Sequence, residues 1–94
     1  MNVYIDFKDI GDYEDFYDQL KGKLPLPDYF GDNLDALYDS VTGFVELPLH
    51  LEFVNMSVEQ LETFEDLLTT LEDAHDEVED FTFSYYLEQY EDEE

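Results

Sequence analysis

The sequence has no cysteine, no tryptophan and no arginine, and its basic residues are three lysines, Lys8, Lys21 and Lys23. Without cysteine there is no disulfide framework, no thiolate nucleophile and no thiolate metal site. Three lysines against 27 Asp and Glu give a formal net charge of −24. That balance excludes ordinary nucleic-acid binding, in which Lys and Arg neutralise phosphates, and electrostatic attraction to anionic membranes. No apolar run approaches the ~20 residues needed to span a bilayer. The N-terminal MNVYIDFKDI lacks the basic-then-apolar pattern of a signal peptide, so the expected location is cytoplasmic. There are four Gly and three Pro, no internal repeat and no linker. Ninety-four residues make one domain, expected over 1–87, with an acidic tail over 88–94 that is expected to fray.

What is present is an apolar pattern able to build a core. Hydrophobic residues make up 44% of the chain, with eight Phe and eight Tyr, enough to cover a sheet despite the charge. From Asn2 to Phe7, Val3, Ile5 and Phe7 alternate with Tyr4 and Asp6, which predicts a strand. Tyr4 on the opposite face suggests a sheet covered at least partly on both sides. Asp12 caps a predicted helix running to about Leu24, with Tyr13, Phe16, Tyr17, Leu20 and Leu24 on one stripe. Glu14 and Asp15 suit its positive end, and Lys21 and Lys23 its negative end. Pro25 and Pro27 stop it.

A second strand is predicted over Leu49–Val54 and a third over Phe81–Leu87. Between them Ser57 and Gln60 form a capping box. The helical pattern that follows to Val78 reads as one helix or as two. The reading preferred here is a break, with Thr63 as the new cap and Asp66 as its box partner. Strand, helix, helix, strand, helices, strand requires crossover connections, and hence an α/β fold with a small parallel three-stranded sheet.

The stretch that carries information about function is LPDYFGDNLDALYDSVTGFVELP, from Leu26 to Pro48. A turn-like opening leads to Asn33, a good N-cap, then a helix from Leu34 to about Thr42, with Gly43 as a left-handed stop. Leu34, Leu37 and Val41 recur at i, i+3, i+7 and form the apolar face. Asp35 and Asp39, four apart, stack on another face, and no Lys or Arg follows Pro25. A solvated polar face is one reading of this pair. A pair awaiting a cation from outside the chain is the other.

The run Pro27-Asp28-Tyr29-Phe30-Gly31-Asp32-Asn33-Leu34-Asp35-Ala36-Leu37-Tyr38-Asp39, then Thr42-Gly43-Phe44-Val45-Glu46 and Pro48, resembles the signature of the barstar family, the intracellular ribonuclease inhibitors. The strand and helix pattern is similar over about nine-tenths of the chain. The resemblance implies a barstar-like sheet flanked by about four helices. It implies a non-catalytic inhibitor of a basic, barnase-like, secreted ribonuclease, an immunity protein for the cell that makes it. Carboxylates on a rigid helix would act there as phosphate mimics, accepting charge-assisted hydrogen bonds from the enzyme.

By the same resemblance, Asp35 and Asp39 make the main contacts, with Asp39 entering the phosphate site. Thr42 and Gly43 contribute at the helix end and Glu46 beyond it. Tyr29, Tyr38 and Phe44 are the surface aromatics, Phe30 turns inward, and Gly31 and Asn33 complete the binding stretch. With three residues deleted upstream, the family's glutamate on the last helix falls on Asp73, one methylene shorter. The family's usual tryptophans are replaced by Tyr38, Phe44 and Phe53, and its frequent helix cysteine by Ser40. An acidic binding module with the same fold and a different basic target is the alternative.

Other chemistry has weaker support. Asp28–Asp35 lacks the spacing of an EF-hand loop. His50 and His75 have no metal spacing or catalytic partner motif, and His50 reads as a satisfied strand residue. Neither a metal nor a cofactor is implied. A pair of charges ~10 Å apart in water repels by about 0.4 kcal/mol, so the free chain is expected to be monomeric and low salt to destabilise it.

Overall fold

The computed structural model describes residues 1–28 and 30–88. In chain order the elements are strand β1 (Asn2–Asp6), helices α1 (Tyr13–Lys23) and α2 (Leu34–Gly43), strand β2 (Leu49–Met56), helices α3 (Val58–Thr63) and α4 (Glu65–Glu77), and strand β3 (Phe81–Leu87). The three strands form one parallel sheet in the order β1-β2-β3, with Val3 opposite Leu51 and Leu51 opposite Phe83. The α/β class, the parallel sheet and the four helices agree with the sequence reading.

Strand alternation sets the layers. Val3, Ile5, Leu49, Leu51, Phe53 and Phe81 are buried and share one core with Phe16 and Leu20 of α1 and Leu67, Leu71 and Ala74 of α4. At its centre the rings of Phe7 and Phe53 lie 4.7 Å apart and those of Phe7 and Phe64 5.2 Å, edge to face. Such pairs add about 0.5–1.5 kcal/mol each beyond simple burial. The opposite face is different. Tyr4 is 48% exposed, and Tyr4, Glu52 and Ser84 lie in register across it with none of them buried. Cover on this face is only partial: His50, Glu52, Val54 and Ser84 are partly buried, whereas Tyr4 at the edge is exposed. Tyr4 tolerates solvent because a tyrosine is apolar along its ring and polar at its tip.

Element ends follow local chemistry. Asp12 and Asn33 cap α1 and α2 as expected: Asp15 N donates to Asp12 Oδ1 at 2.9 Å and Ala36 N to Asn33 Oδ1 at 2.7 Å. The Ser57–Gln60 capping box forms in both directions, and the Gln60 amide also donates to Phe7 O and Ile10 O at 2.8 Å each. β1 ends one residue early, because Phe7 enters a 3₁₀ turn (Phe7–Asp9) capped by Asp6. β2 runs two residues further than expected, past Asn55, whose φ is 62°.

Two further expectations are corrected. The break between α3 and α4 exists, but it falls at Phe64, which has no side-chain cap; Thr63 is the last residue of α3. Burial of the Phe64 ring, wholly removed from solvent among Phe7, Tyr13 and Phe16, fixes the corner that a hydroxyl was expected to fix. Gly43 is not a left-handed stop. It is the last residue of α2, no described glycine has positive φ, and Phe44 caps the helix in the right-handed region. Phe44 N and Val45 N both donate to Ser40 O at 2.9 Å, so the chain leaves without a left-handed residue. Of the tail, Glu88 N donates to Met56 O at 2.9 Å, and 89–94 lie outside the described residues.

Candidate functional site

α2 is amphipathic in three sectors rather than two. Leu37 and Val41 are buried, and the helix packs against α4. Asp35, Asp39 and Thr42, at i, i+4, i+7, form a second sector, with both carboxylates exposed. Ala36, Ser40 and Gly43, again at i, i+4, i+7, form a third sector of small residues. The segment before the helix, with Pro27 and Phe30, lies across that third sector and leaves a groove of about 500 Å³. Asp39, Thr42, Gly43 and Phe44 line it together with Ala36, Ser40, Pro27 and Phe30.

Four of the residues expected to bind a partner, Asp39, Thr42, Gly43 and Phe44, thus meet at one groove. Ala36 and Ser40 were not anticipated, although their recurrence with Gly43 at helical spacing was a signal that a second chain segment could approach there.

The electrostatics of this end of α2 are one-sided. A helix carries about half a negative charge at its C-terminal end. α2 has no basic residue in its last turn, has Asp39 one turn from its end, and is followed by exposed Glu46. The Thr42 hydroxyl donates to Tyr38 O at 2.7 Å, which leaves its oxygen able to accept. Phe44 is 50% exposed at the groove. A site of this kind offers acceptors and an aromatic surface to a cationic, donor-rich ligand.

The approach to α2 is shaped locally. The Asn33 amide nitrogen donates to Gly31 O at 3.1 Å while its oxygen caps the helix. A Cβ on Gly31 would lie 2.9 Å from that nitrogen, so glycine is required for the capping side chain to sit where it does. Asp32 has φ of 51°, and Lys21 of α1 reaches its carboxylate at 3.0 Å. Among the described residues this is the one ion pair between a lysine and a carboxylate. Phe30 turns inward, as expected, with its ring 5.8 Å from that of Tyr17.

Tyr17 is 3% exposed, and its hydroxyl has no hydrogen-bond partner among the described residues. Burial, reinforced by Tyr13 and Asp32 nearby, pushes that hydroxyl up to about 12.

None of the other expected residues that the structure describes lines the groove. Asp35 is exposed one turn before Asp39, and Tyr38 is half-buried against the core. Asp73 is exposed on α4, the helix packed against α2. Tyr29 lies outside the described residues. His50 is satisfied within the sheet, by the Thr82 hydroxyl at 2.8 Å and the Glu52 carboxylate at 3.1 Å. The His75 ring donates its Nδ1–H to Phe81 O at 2.7 Å, since a carbonyl oxygen can only accept.

Comparison with known proteins agrees with this architecture. A family model described as "Barstar (barnase inhibitor)" matches residues 1–88. A Bacillus subtilis (strain 168) protein bearing the name "Putative ribonuclease inhibitor YrdF" is 42% identical over 83 residues, covering 83% of this chain and 89% of that protein. With a family match over nearly its whole length and a relative this similar, the chain belongs to the barstar family.

Proposed function

We propose that this chain is an inhibitor of a basic, barnase-like ribonuclease, and that it acts by presenting helix-borne carboxylates where the enzyme binds RNA phosphate. Membership of the barstar family and the name of the Bacillus relative support inhibition of a ribonuclease rather than catalysis. The single observation that carries the finer reading is the groove at the C-terminal end of α2. There an unneutralised Asp39, an acceptor-ready Thr42 and an exposed Phe44 meet on a helix end that is itself negative.

A ribonuclease must direct cationic side chains at a scissile phosphate. Asp39 can accept their hydrogen bonds as that phosphate does, with Asp35 on the same sector widening the contact. Tyr38 and Phe44 supply apolar area beside the charges, and Glu46 extends the acidic surface. In this reading Tyr29, Gly31, Asn33 and Asp73 complete the contact surface. The net charge of −24 accelerates encounter with a basic enzyme and forbids binding to RNA itself. The free inhibitor is a cytoplasmic monomer protecting the cell's own RNA.

The test is inhibition of a barnase-like ribonuclease at low and high salt, with Asp39→Ala and Asp35→Ala beside the wild type. Loss of one charge-assisted hydrogen bond costs about 1.5–3 kcal/mol, so Asp39→Ala should weaken inhibition by roughly 10- to 150-fold. A stoichiometric complex that leaves the nuclease fully active refutes the reading. Absence of binding at either salt transfers the site to a different basic target.

A further inference from the structure

The two edges of the sheet are finished differently. In a parallel ladder, alternate residues of an edge strand turn their N–H and C=O groups away from the neighbouring strand. On β1 these outward residues are Asn2, Tyr4 and Asp6, because His50 N bonds to Met1 O and sets the phase. α1 closes this edge. The Gln19 side chain accepts from Asp6 N at 3.0 Å and donates to Asp6 O at 3.3 Å, as a neighbouring strand would. Lys23 Nζ donates to Tyr4 O at 2.7 Å.

On β3 the phase is set by Leu49 N bonding to Asp80 O at 3.0 Å and by Glu88 N bonding to Met56 O at 2.9 Å. The outward residues are therefore Phe81, Phe83, Tyr85 and Leu87. Phe81 is capped at both groups, by Val78 O and by His75. Among the described residues no side chain caps the outward groups of Phe83, Tyr85 or Leu87.

The composition of that edge is equally unusual. Folded proteins blunt exposed edges with charge, proline or a bulge on the edge strand. In a chain that is 32% charged, FTFSYYL carries no charge and no proline. Tyr85, Tyr86 and Leu87 are consecutive large side chains, with Tyr86 55% and Leu87 46% exposed. A second copy of the chain is a poor occupant, since it would bring one charge of −24 against another. An extended peptide carrying Lys or Arg beside its pairing residues is a good one. Its main chain would pair with the open edge while its cations met exposed Glu79 and Asp80 at the start of β3.

We propose that the outer edge of β3, at Phe83, Tyr85 and Leu87, is a strand-addition site for an extended peptide with basic flanks, separate from the α2 groove. The probe is the fluorescein-labelled nonapeptide KKVTVYVKK, titrated by anisotropy in 0.15 M NaCl. It is compared with a peptide of the same sequence N-methylated at alternate residues on one edge. N-methylation keeps charge and side chains and removes the pairing donors.

The expected result is at least a tenfold loss of affinity on N-methylation, with the amides of Phe83, Tyr85 and Leu87 becoming protected from hydrogen exchange only when the unmodified peptide is bound. Tyr85→Pro should cause a similar loss while leaving ribonuclease inhibition unchanged, because proline there removes an outward donor and no ladder bond. Equal binding of the N-methylated peptide, or no binding of either, overturns the proposal. So does protection of those amides without peptide. If that protection grows with protein concentration, a second copy holds the edge; if it is constant, the chain's own remaining residues do.

Discussion

Replacement of Gly43 by alanine should stabilise the protein and impair it as an inhibitor. Gly43 is helical, solvent-exposed and not left-handed, and a Cβ built on it meets nothing within 4 Å. Nothing in the fold therefore requires glycine. In a helix interior glycine costs about 1 kcal/mol relative to alanine. Gly43 is the last helical residue, where one flank is already irregular, so about half of that, roughly 0.5 kcal/mol, is the reasonable gain. For a domain of this size 1 kcal/mol moves the melting midpoint by about 4–8 °C, so Gly43→Ala should raise it by ~2–4 °C.

The same methyl projects at the groove that Asp39, Thr42 and Phe44 share, where a partner's side chain would approach the helix. Inhibition of the ribonuclease should weaken by about tenfold or more, equivalent to about 1.4 kcal/mol. Thermal melts by circular dichroism and a titration of nuclease activity measure the two effects separately. A lower melting midpoint refutes the account of the helix end. A raised midpoint with inhibition unchanged within about twofold removes Gly43 from the contact surface.

Two further perturbations act elsewhere. Because the Tyr17 hydroxyl is held at about 12 when folded and tyrosine titrates near 10 in an unfolded chain, the folded state keeps a proton that the unfolded state releases. Stability is therefore lost as pH rises from about 10 to about 12, by at most about 3 kcal/mol, and urea melts of Tyr17→Phe should lack that part of the loss; parallel curves for the two proteins count against it. Raising NaCl from 0.01 to 0.15 M shortens the screening length from about 30 to about 8 Å, so the melting midpoint should climb with salt, and a flat dependence would mean that self-repulsion of the acids is unimportant.

Much of the architecture was legible because it is written in periodicity. Val3 and Ile5, or Phe16 and Leu20, declare their elements without reference to the rest of the chain. Side-chain caps were equally local, and Asp12, Asn33 and Ser57 needed only their own neighbours. What was missed depended on contacts distant in sequence. Phe64 replaces a hydroxyl cap because a cluster including Phe7, Tyr13 and Phe16 holds its ring. Lys21 read as a helix-end charge, yet it also fixes Asp32, eleven residues away. How much of the second face is covered could not be inferred from Tyr4, since a half-wet tyrosine and a covered one look alike in a strand pattern. At the candidate site the acids were conspicuous from the absence of any lysine beyond Pro25, whereas the groove beside them depends on where Pro27 and Phe30 lie.

The sheet takes its strands in the order in which the chain encodes them, and this has a consequence for synthesis. α2 is complete by residue 43, but α4, the helix packed against it, ends only at residue 77, after β2 has been laid down. A growing chain therefore carries every α2 carboxylate for a long interval before α4 buttresses them. A ten-residue helix alone in water is marginal. A chain cut after residue 64 would possess Asp35 and Asp39 and should still leave the ribonuclease active in a turnover assay. Protection against the enzyme would then arrive late and all at once, as a property of the nearly finished molecule.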